Sequence, residues 1–144
     1  TMSFKVEPGQ RCYPAENVTN GWTRPYAYTN LWRSDPSVPL DQWLKLEWDE
    51  AVEISQVELT FPGHLLREYH AYGPFYRDPQ CPRDYTVEAL CEDGSWEPIV
   101  EVTGNYQRHR KHALGSPRET RAVRITVHST NGDPSAAIYE VRCY

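Results

Sequence analysis

QWLKLEWDEAVEISQVELTF, residues 42–61, carries the pattern that decides the fold. Leu44, Leu46 and Trp48 fall on one side of an extended chain, and Lys45 and Glu47 on the other. Successive side chains of a strand point to opposite faces, so this alternation predicts a half-buried strand. Asp49-Glu50 then reads as a turn. Beyond it, Ile54, Val57, Leu59 and Phe61 mark a second strand.

The same period recurs outward from this stretch. Tyr85, Val87, Ala89 and Cys91 form one face, followed by the turn Glu92-Asp93-Gly94-Ser95 and then Trp96, Ile99, Val100 and Val102. Val123, Ile125 and Val127 alternate with Arg124, Thr126 and His128. Asn131-Gly132-Asp133-Pro134 is rich in turn-forming residues. The chain closes with Tyr139, Val141 and Cys143 on one face and Glu140, Arg142 and Tyr144 on the other. No segment of ten or more residues carries a helical stripe. Short strands separated by turns predict an all-β protein, an antiparallel β-sandwich. Residues 1–144 read as a single domain, with residues 1–12 a lead-in strand or a tail.

Composition narrows the function. The 144 residues carry a formal net charge of -5, which argues against nucleic acid as a partner. No apolar run approaches the roughly 20 residues of a membrane span, so no membrane partner is expected, and no leader peptide is read at the start. The four cysteines, Cys12, Cys81, Cys91 and Cys143, contain no CxxC pair, which disfavours zinc. Cys12 and Cys143 lie near opposite ends and could join in a disulfide. Cys91 reads as a buried thiol, and the compartment stays open on cysteine usage.

Catalytic motifs are missing. The sequence holds no HExxH, P-loop, GxGxxG or nucleophile elbow. His109 and His112 are three apart, which places them on opposite faces of a strand and not around one metal. Asp49/Glu50 and Glu92/Asp93 read as solvated turns. No intrinsic enzymatic activity is expected.

Residues 15–61 hold a further pattern: Asn20-Gly21, then Leu31-Trp32-Arg33-Ser34-Asp35, then Gln42-Trp43-Leu44-Lys45-Leu46, then Ile54-Ser55-Gln56-Val57-Glu58-Leu59. In that order it resembles the galactose-binding-like jelly-roll sandwich of the coagulation-factor C-type (discoidin) domains and of family 32 carbohydrate-binding modules. Arg83-Asp84-Tyr85-Thr86-Val87-Glu88, the segment Asn105 to His112, Thr130-Asn131-Gly132 and the final strand extend the likeness to Tyr144. They are similar to a bacterial subgroup of accessory domains. The departure is Phe61-Pro62-Gly63-His64, where relatives often read Phe-Asp-Thr; the loop that follows is individual to this chain.

The resemblance implies a non-catalytic carbohydrate-binding module of a larger bacterial enzyme. Its partners would be a polysaccharide or oligosaccharide and a parent catalytic domain in the same polypeptide. It would lie outside the cytoplasm: secreted, periplasmic or at the cell surface. A module that only braces the parent enzyme is the competing expectation. Binding in such a fold falls on the loops at one end. Aromatic rings there can stack on the apolar face of a pyranose, and arginine, asparagine or histidine can take its hydroxyls. The equivalent carbohydrate-binding candidates here are Trp22, Tyr26, Tyr28 and Arg33 in the first loop. In the long loop they are His64, Arg67, Tyr69, Tyr72, Phe75, Tyr76 and Arg77, and in the third Asn105, Arg108 and Arg110. Their arginines suit an acidic polysaccharide. Trp32 and Trp43 occupy positions that pack in relatives, and Trp48 reads as core. The resemblance also suggests a structural Ca²⁺ at Asn20 and Glu140, or an Arg24–Glu140 ion pair in the same space.

Overall fold

In the computed structural model, which describes residues 12–65 and 76–144, the alternating stretch is one uninterrupted strand. After a short 3-10 helix, Ala15–Thr19, come β1 (Trp32–Arg33), β2 (Gln42–Thr60), β3 (Pro82–Leu90), β4 (Trp96–Val102), β5 (His109–Thr130), β6 (Ala137–Ile138) and β7 (Glu140–Cys143). The strands are antiparallel, in the order β4-β3-β5-β2-β7, with β1 and β6 as a separate pair. This is the predicted antiparallel sandwich. No helix among the described residues is long and apolar enough to cross a membrane.

The turn expected at Asp49-Glu50 is instead part of β2. The ladder between β2 and β5 skips register between Glu47 and Val52 and again between Ile54 and Gln56. Such irregularities bend and twist a strand pair, so one long ribbon serves both layers. Its first half has Leu44 opposite Ile125 and Leu46 opposite Val123 of β5, which pairs in turn with β3, and β3 with β4. Its second half, with Val57 opposite His112 and Leu59 opposite Arg110, pairs with β7.

Both halves bury one face in the same core. Leu44, Val57, Leu59, Phe61, Tyr85, Val87, Val123, Ile125, Val127, Ile138 and Val141 pack there, with Leu46 and Trp48 against the margin. Full burial of each large aliphatic or aromatic side chain contributes on the order of 1.5–3 kcal/mol. Trp32 is buried as expected, but Trp43 is 56% exposed on the opposite face of β2 from Leu44. The period of two requires that placement once Leu44 faces inward.

Cys81 is buried and Cys91 and Cys143 are half-buried, all three as free thiols. The disulfide weighed between Cys12 and Cys143 is therefore not formed. Burial pushes the Cys81 thiol up to about 12 and the Cys143 thiol to about 11.

Candidate functional site

Three segments meet at one end of the sandwich: the chain after β2, the Tyr76–Gln80 stretch before β3, and the Gly104–Arg108 connection into β5. Between them lies a cleft of about 610 Å³, lined by Gly63, His64, Tyr76, Tyr106, Gln107, Arg108 and His109. That volume lies within the roughly 300–1,000 Å³ usual for small-molecule sites.

Two rings form its aromatic wall. Tyr76 and Tyr106 meet edge to face, with centroids 5.2 Å apart and planes at 80°. Tyr106 is 47% exposed. The Arg77 guanidinium lies 5.2 Å above the Tyr76 ring, which steadies that ring from outside. On the polar side, His64 faces Asp78 at 3.9 Å. His109 Nε2 lies 3.4 Å from Glu58, which also accepts from Lys111 at 3.0 Å.

Arg108 is the fixed point of the cleft. Its Nη2 donates to the Thr23 carbonyl, its guanidinium lies 5.8 Å over the Tyr139 ring, and its own carbonyl accepts from the Phe61 N–H at 2.7 Å. Its Nε is buried without a partner. Burial and the nearby Arg24 lower its pKa, with Tyr139 acting the other way. Gly63 makes room for its stem: a Cβ there would lie 2.9 Å from Arg108 Cβ.

Beneath the cleft sits a buried polar network. Asn105, only 3% exposed, donates to the carbonyls of Pro82 at 2.8 Å and Gln107 at 3.2 Å. Its Oδ1 accepts from the Gln107 N–H at 3.1 Å and from Arg110 at 2.9 Å. Nearby, the Tyr85 hydroxyl and His112 Nε2 are 2.9 Å apart. Burial, then Arg110, lowers the His112 pKa, and burial raises that of Tyr85. His109 and His112 thus leave β5 on opposite sides.

The structure sorts the sequence candidates. His64, Tyr76 and Arg108 line the cleft, with Arg77 against it. Trp22, Tyr26 and Tyr28 are exposed on a neighbouring loop, where Trp22 and Tyr26 stack at 5.1 Å and 10°. Arg67, Tyr69, Tyr72 and Phe75 lie outside the described residues. Asn105 is turned onto the backbone of Pro82 and Gln107, and Arg110 donates to its Oδ1. Arg33 is also withdrawn: it grips both oxygens of Asp133 at 2.9 and 2.8 Å and donates to Ser135 at 2.6 Å. Burial tends to raise Asp133, but the bonds from Ser135 and Arg33 outweigh it and hold the carboxyl low. Gln107 and Tyr106 were not singled out from sequence, and His109 was weighed only as a metal ligand. An aromatic after the Gly104-Asn105 turn was the signal available for Tyr106.

The suggested calcium residues are engaged elsewhere. Asn20 Oδ1 accepts from the Trp22 N–H at 2.8 Å, and Glu140, 7% exposed, pairs with Arg142 at 2.8 Å. Arg142 takes the place expected for Arg24. Calcium needs six to eight oxygens, usually with several carboxylates. No group of three or more histidines, cysteines or acids gathers among the described residues, so an ion there would rest mainly on backbone and amide oxygens.

The chain matches the family model of the F5/8 type C domain over residues 5–141. No curated protein matches it. Among solved structures it is similar to the family 32 carbohydrate-binding module of Streptococcus pneumoniae EndoD, with a TM-score of 0.72 and 18% identity over 96% of this chain and 90% of that one. The family 32 module of C. perfringens NanJ, solved with galactose, gives 0.71 and 18% over 93% and 86%. A chitosan-binding module from a Paenibacillus chitosanase/glucanase gives 0.71 and 14% over 94% and 87%. At such identities the likeness is one of fold.

Proposed function

Since the chain belongs to the F5/8 type C domain family, we propose that it is a non-catalytic carbohydrate-binding module that holds a larger bacterial enzyme on an acidic polysaccharide outside the cytoplasm. The observation that carries the reading is the cleft at the loop end, where the Tyr76–Tyr106 wall meets Arg108, His64, Gln107 and His109. A pyranose offers an apolar C–H face to such rings and a rim of hydroxyls to such donors. A fold does not choose its ligand; one neighbour carries galactose and another binds chitosan, a cationic sugar. The preference for acidic chains therefore rests on this chain's own residues. Arg108 and Arg77 border the cleft, while Glu58 is already paired with Lys111. A guanidinium matches the fork of a carboxylate.

The module would act by proximity, raising the local concentration of substrate around its parent enzyme. A shallow wet site makes few desolvated contacts, so Kd falls on the order of 0.01–1 mM. Affinity electrophoresis in gels of neutral and acidic polysaccharides tests the proposal. The acidic gel should retard the protein, less so at raised salt. Tyr106→Ala should weaken binding about 5- to 20-fold, from the lost stacking and area. Equal retardation of wild type and Tyr106→Ala would remove the cleft from consideration.

One observation favours packing against a companion domain. Trp43 stands 56% exposed on the outer sheet face, across β2 from the core. That surface suits the bracing of a parent domain, and it is compatible with a sugar cleft elsewhere.

A further inference from the structure

The cleft is not an isolated depression. On the far side of Arg108 a smaller hollow of about 130 Å³ is walled by Pro25, Pro62, Leu65, Asp78, Gln80 and Tyr139, and shares Gly63 and Arg108 with the cleft. Alone it falls below the roughly 300 Å³ floor of an independent small-molecule site. As an extension of the larger cleft it lengthens the concave surface toward the Trp22–Tyr28 loop.

That loop is built to hold its rings outward. Asn30, 5% exposed and at φ 56°, donates to the carbonyls of Arg24 and Tyr26, both at 3.2 Å. The Tyr26 N–H bonds to the Tyr28 carbonyl at 3.2 Å across Ala27, which itself sits at φ 55°. Non-glycine residues in this region cost energy that the surroundings must offset. Trp22 and Tyr26 then stack on each other, 45% and 67% exposed, leaving their outer faces to solvent. Arg108 ties this loop to the cleft through the Thr23 carbonyl.

We propose that the site takes an extended stretch of a polysaccharide chain rather than a lone terminal sugar. One sugar unit sits against Tyr106 and Tyr76. Arg108 forms the ridge that the chain crosses. The next units lie over the Pro25 hollow and against Trp22 and Tyr26, where Asp78 and Gln80 accept and donate to hydroxyls. The proposal deepens the carbohydrate-binding reading and rests on it. Rings fixed before binding lose little entropy when a sugar lands, so each added unit contributes affinity until the surface is used up.

Isothermal titration calorimetry decides the matter with two probe series: galacturonic acid with its oligomers of two to six units, and galactose with its oligomers of the same lengths. In at least one series, affinity should climb about tenfold or more from monomer to the longer chains and then level off. Trp22→Ala/Tyr26→Ala should flatten that climb, costing the longer chains several-fold more affinity than the monomer; these exposed rings leave the core intact, which near-ultraviolet circular dichroism checks. A wild-type protein that binds monomer as tightly as hexamer overturns the chain proposal and leaves the sugar-binding reading standing. A double variant that weakens every length equally overturns it as well. Failure of both series at every length overturns both the chain proposal and the reading beneath it.

Discussion

Replacing Asn105 with alanine separates a structural amide from a ligand contact. Its Nδ2 donates to the carbonyls of Pro82 and Gln107, and its Oδ1 accepts from the Gln107 N–H and from Arg110. Truncation leaves the buried Pro82 carbonyl, the part-buried Gln107 carbonyl, one amide N–H and one guanidinium N–H without those partners. A buried polar group left unpaired costs about 1–3 kcal/mol. Groups in one network do not add fully, because water and a shifted Arg110 recover part of the loss. The expected destabilisation is therefore about 3–5 kcal/mol, a large share of the roughly 5–15 kcal/mol that holds a domain together. At about 2–4 °C per kcal/mol for a chain near this size, Tm should fall by about 6–20 °C. Urea unfolding followed by circular dichroism measures it, with the slope unchanged and the midpoint lowered. Asn105→Asp keeps the acceptor for Arg110 but turns a carboxylate oxygen toward the Pro82 and Gln107 carbonyls, so it should not restore the lost stability. A loss below about 1 kcal/mol together with abolished saccharide binding would refute the reasoning and return Asn105 to the ligand.

Arg33→Ala should destabilise by about 2–3 kcal/mol through its lost charge-assisted bonds to half-buried Asp133, while saccharide affinity by calorimetry stays within twofold. The His112 pKa lies below its ordinary 6.5 through burial and then Arg110, so the unfolded chain binds the proton more readily. Stability from that group is full above the unfolded value and is lost as pH falls through it toward the folded one. His112→Gln, which can keep a bond to the Tyr85 hydroxyl, should show a shallower loss of Tm between pH 7 and pH 5.5; identical slopes would contradict the assignment. Calcium or EDTA should leave Tm within about 1 °C, because Asn20 and Glu140 are engaged elsewhere; a rise of several degrees with calcium would reverse that conclusion.

The strands were legible wherever one face of an extended segment meets the core. Val123, Ile125 and Val127, or Tyr85, Val87 and Ala89, are at most 1% exposed, and nothing but a period of two buries such a set. Asp49-Glu50 misled because two polar residues look alike in a turn and in a ribbon bending at the margin between layers. Residues 113–121 were not legible as strand at all, since most are exposed there and exposure removes the hydrophobic signal. The site was legible by region and not by residue. The loops named from sequence border the cleft, while Arg33, Asn105 and Arg110, named as ligand candidates, are engaged by Asp133 and Ser135, by backbone and by Asn105. A polar side chain turned inward onto backbone has the same sequence appearance as one turned outward toward a ligand; only burial separates them, and burial is a tertiary property.

That inward polarity explains why the cleft exists. On the second half of the ribbon, Arg110 and His112 sit opposite Leu59 and Val57, where a hydrophobic sheet would carry aliphatic residues. A half-buried cation such as Arg110 loses part of its hydration and gains from a partner. Arg110 finds that partner in Asn105, and Asn105 in turn fastens the carbonyls of Pro82 and Gln107. The connection from Gly104, at φ 68°, is thereby pinned on both sides of Tyr106. Tyr106 is left with its ring outside the clamp and its edge against Tyr76. A tighter aliphatic core would give up this anchor, and the ring would be free to collapse onto the apolar surface beneath it. The half-buried arginine thus orders the loop through Asn105, and the ordered loop keeps an aromatic face in solvent with little entropy left to lose when a ligand arrives.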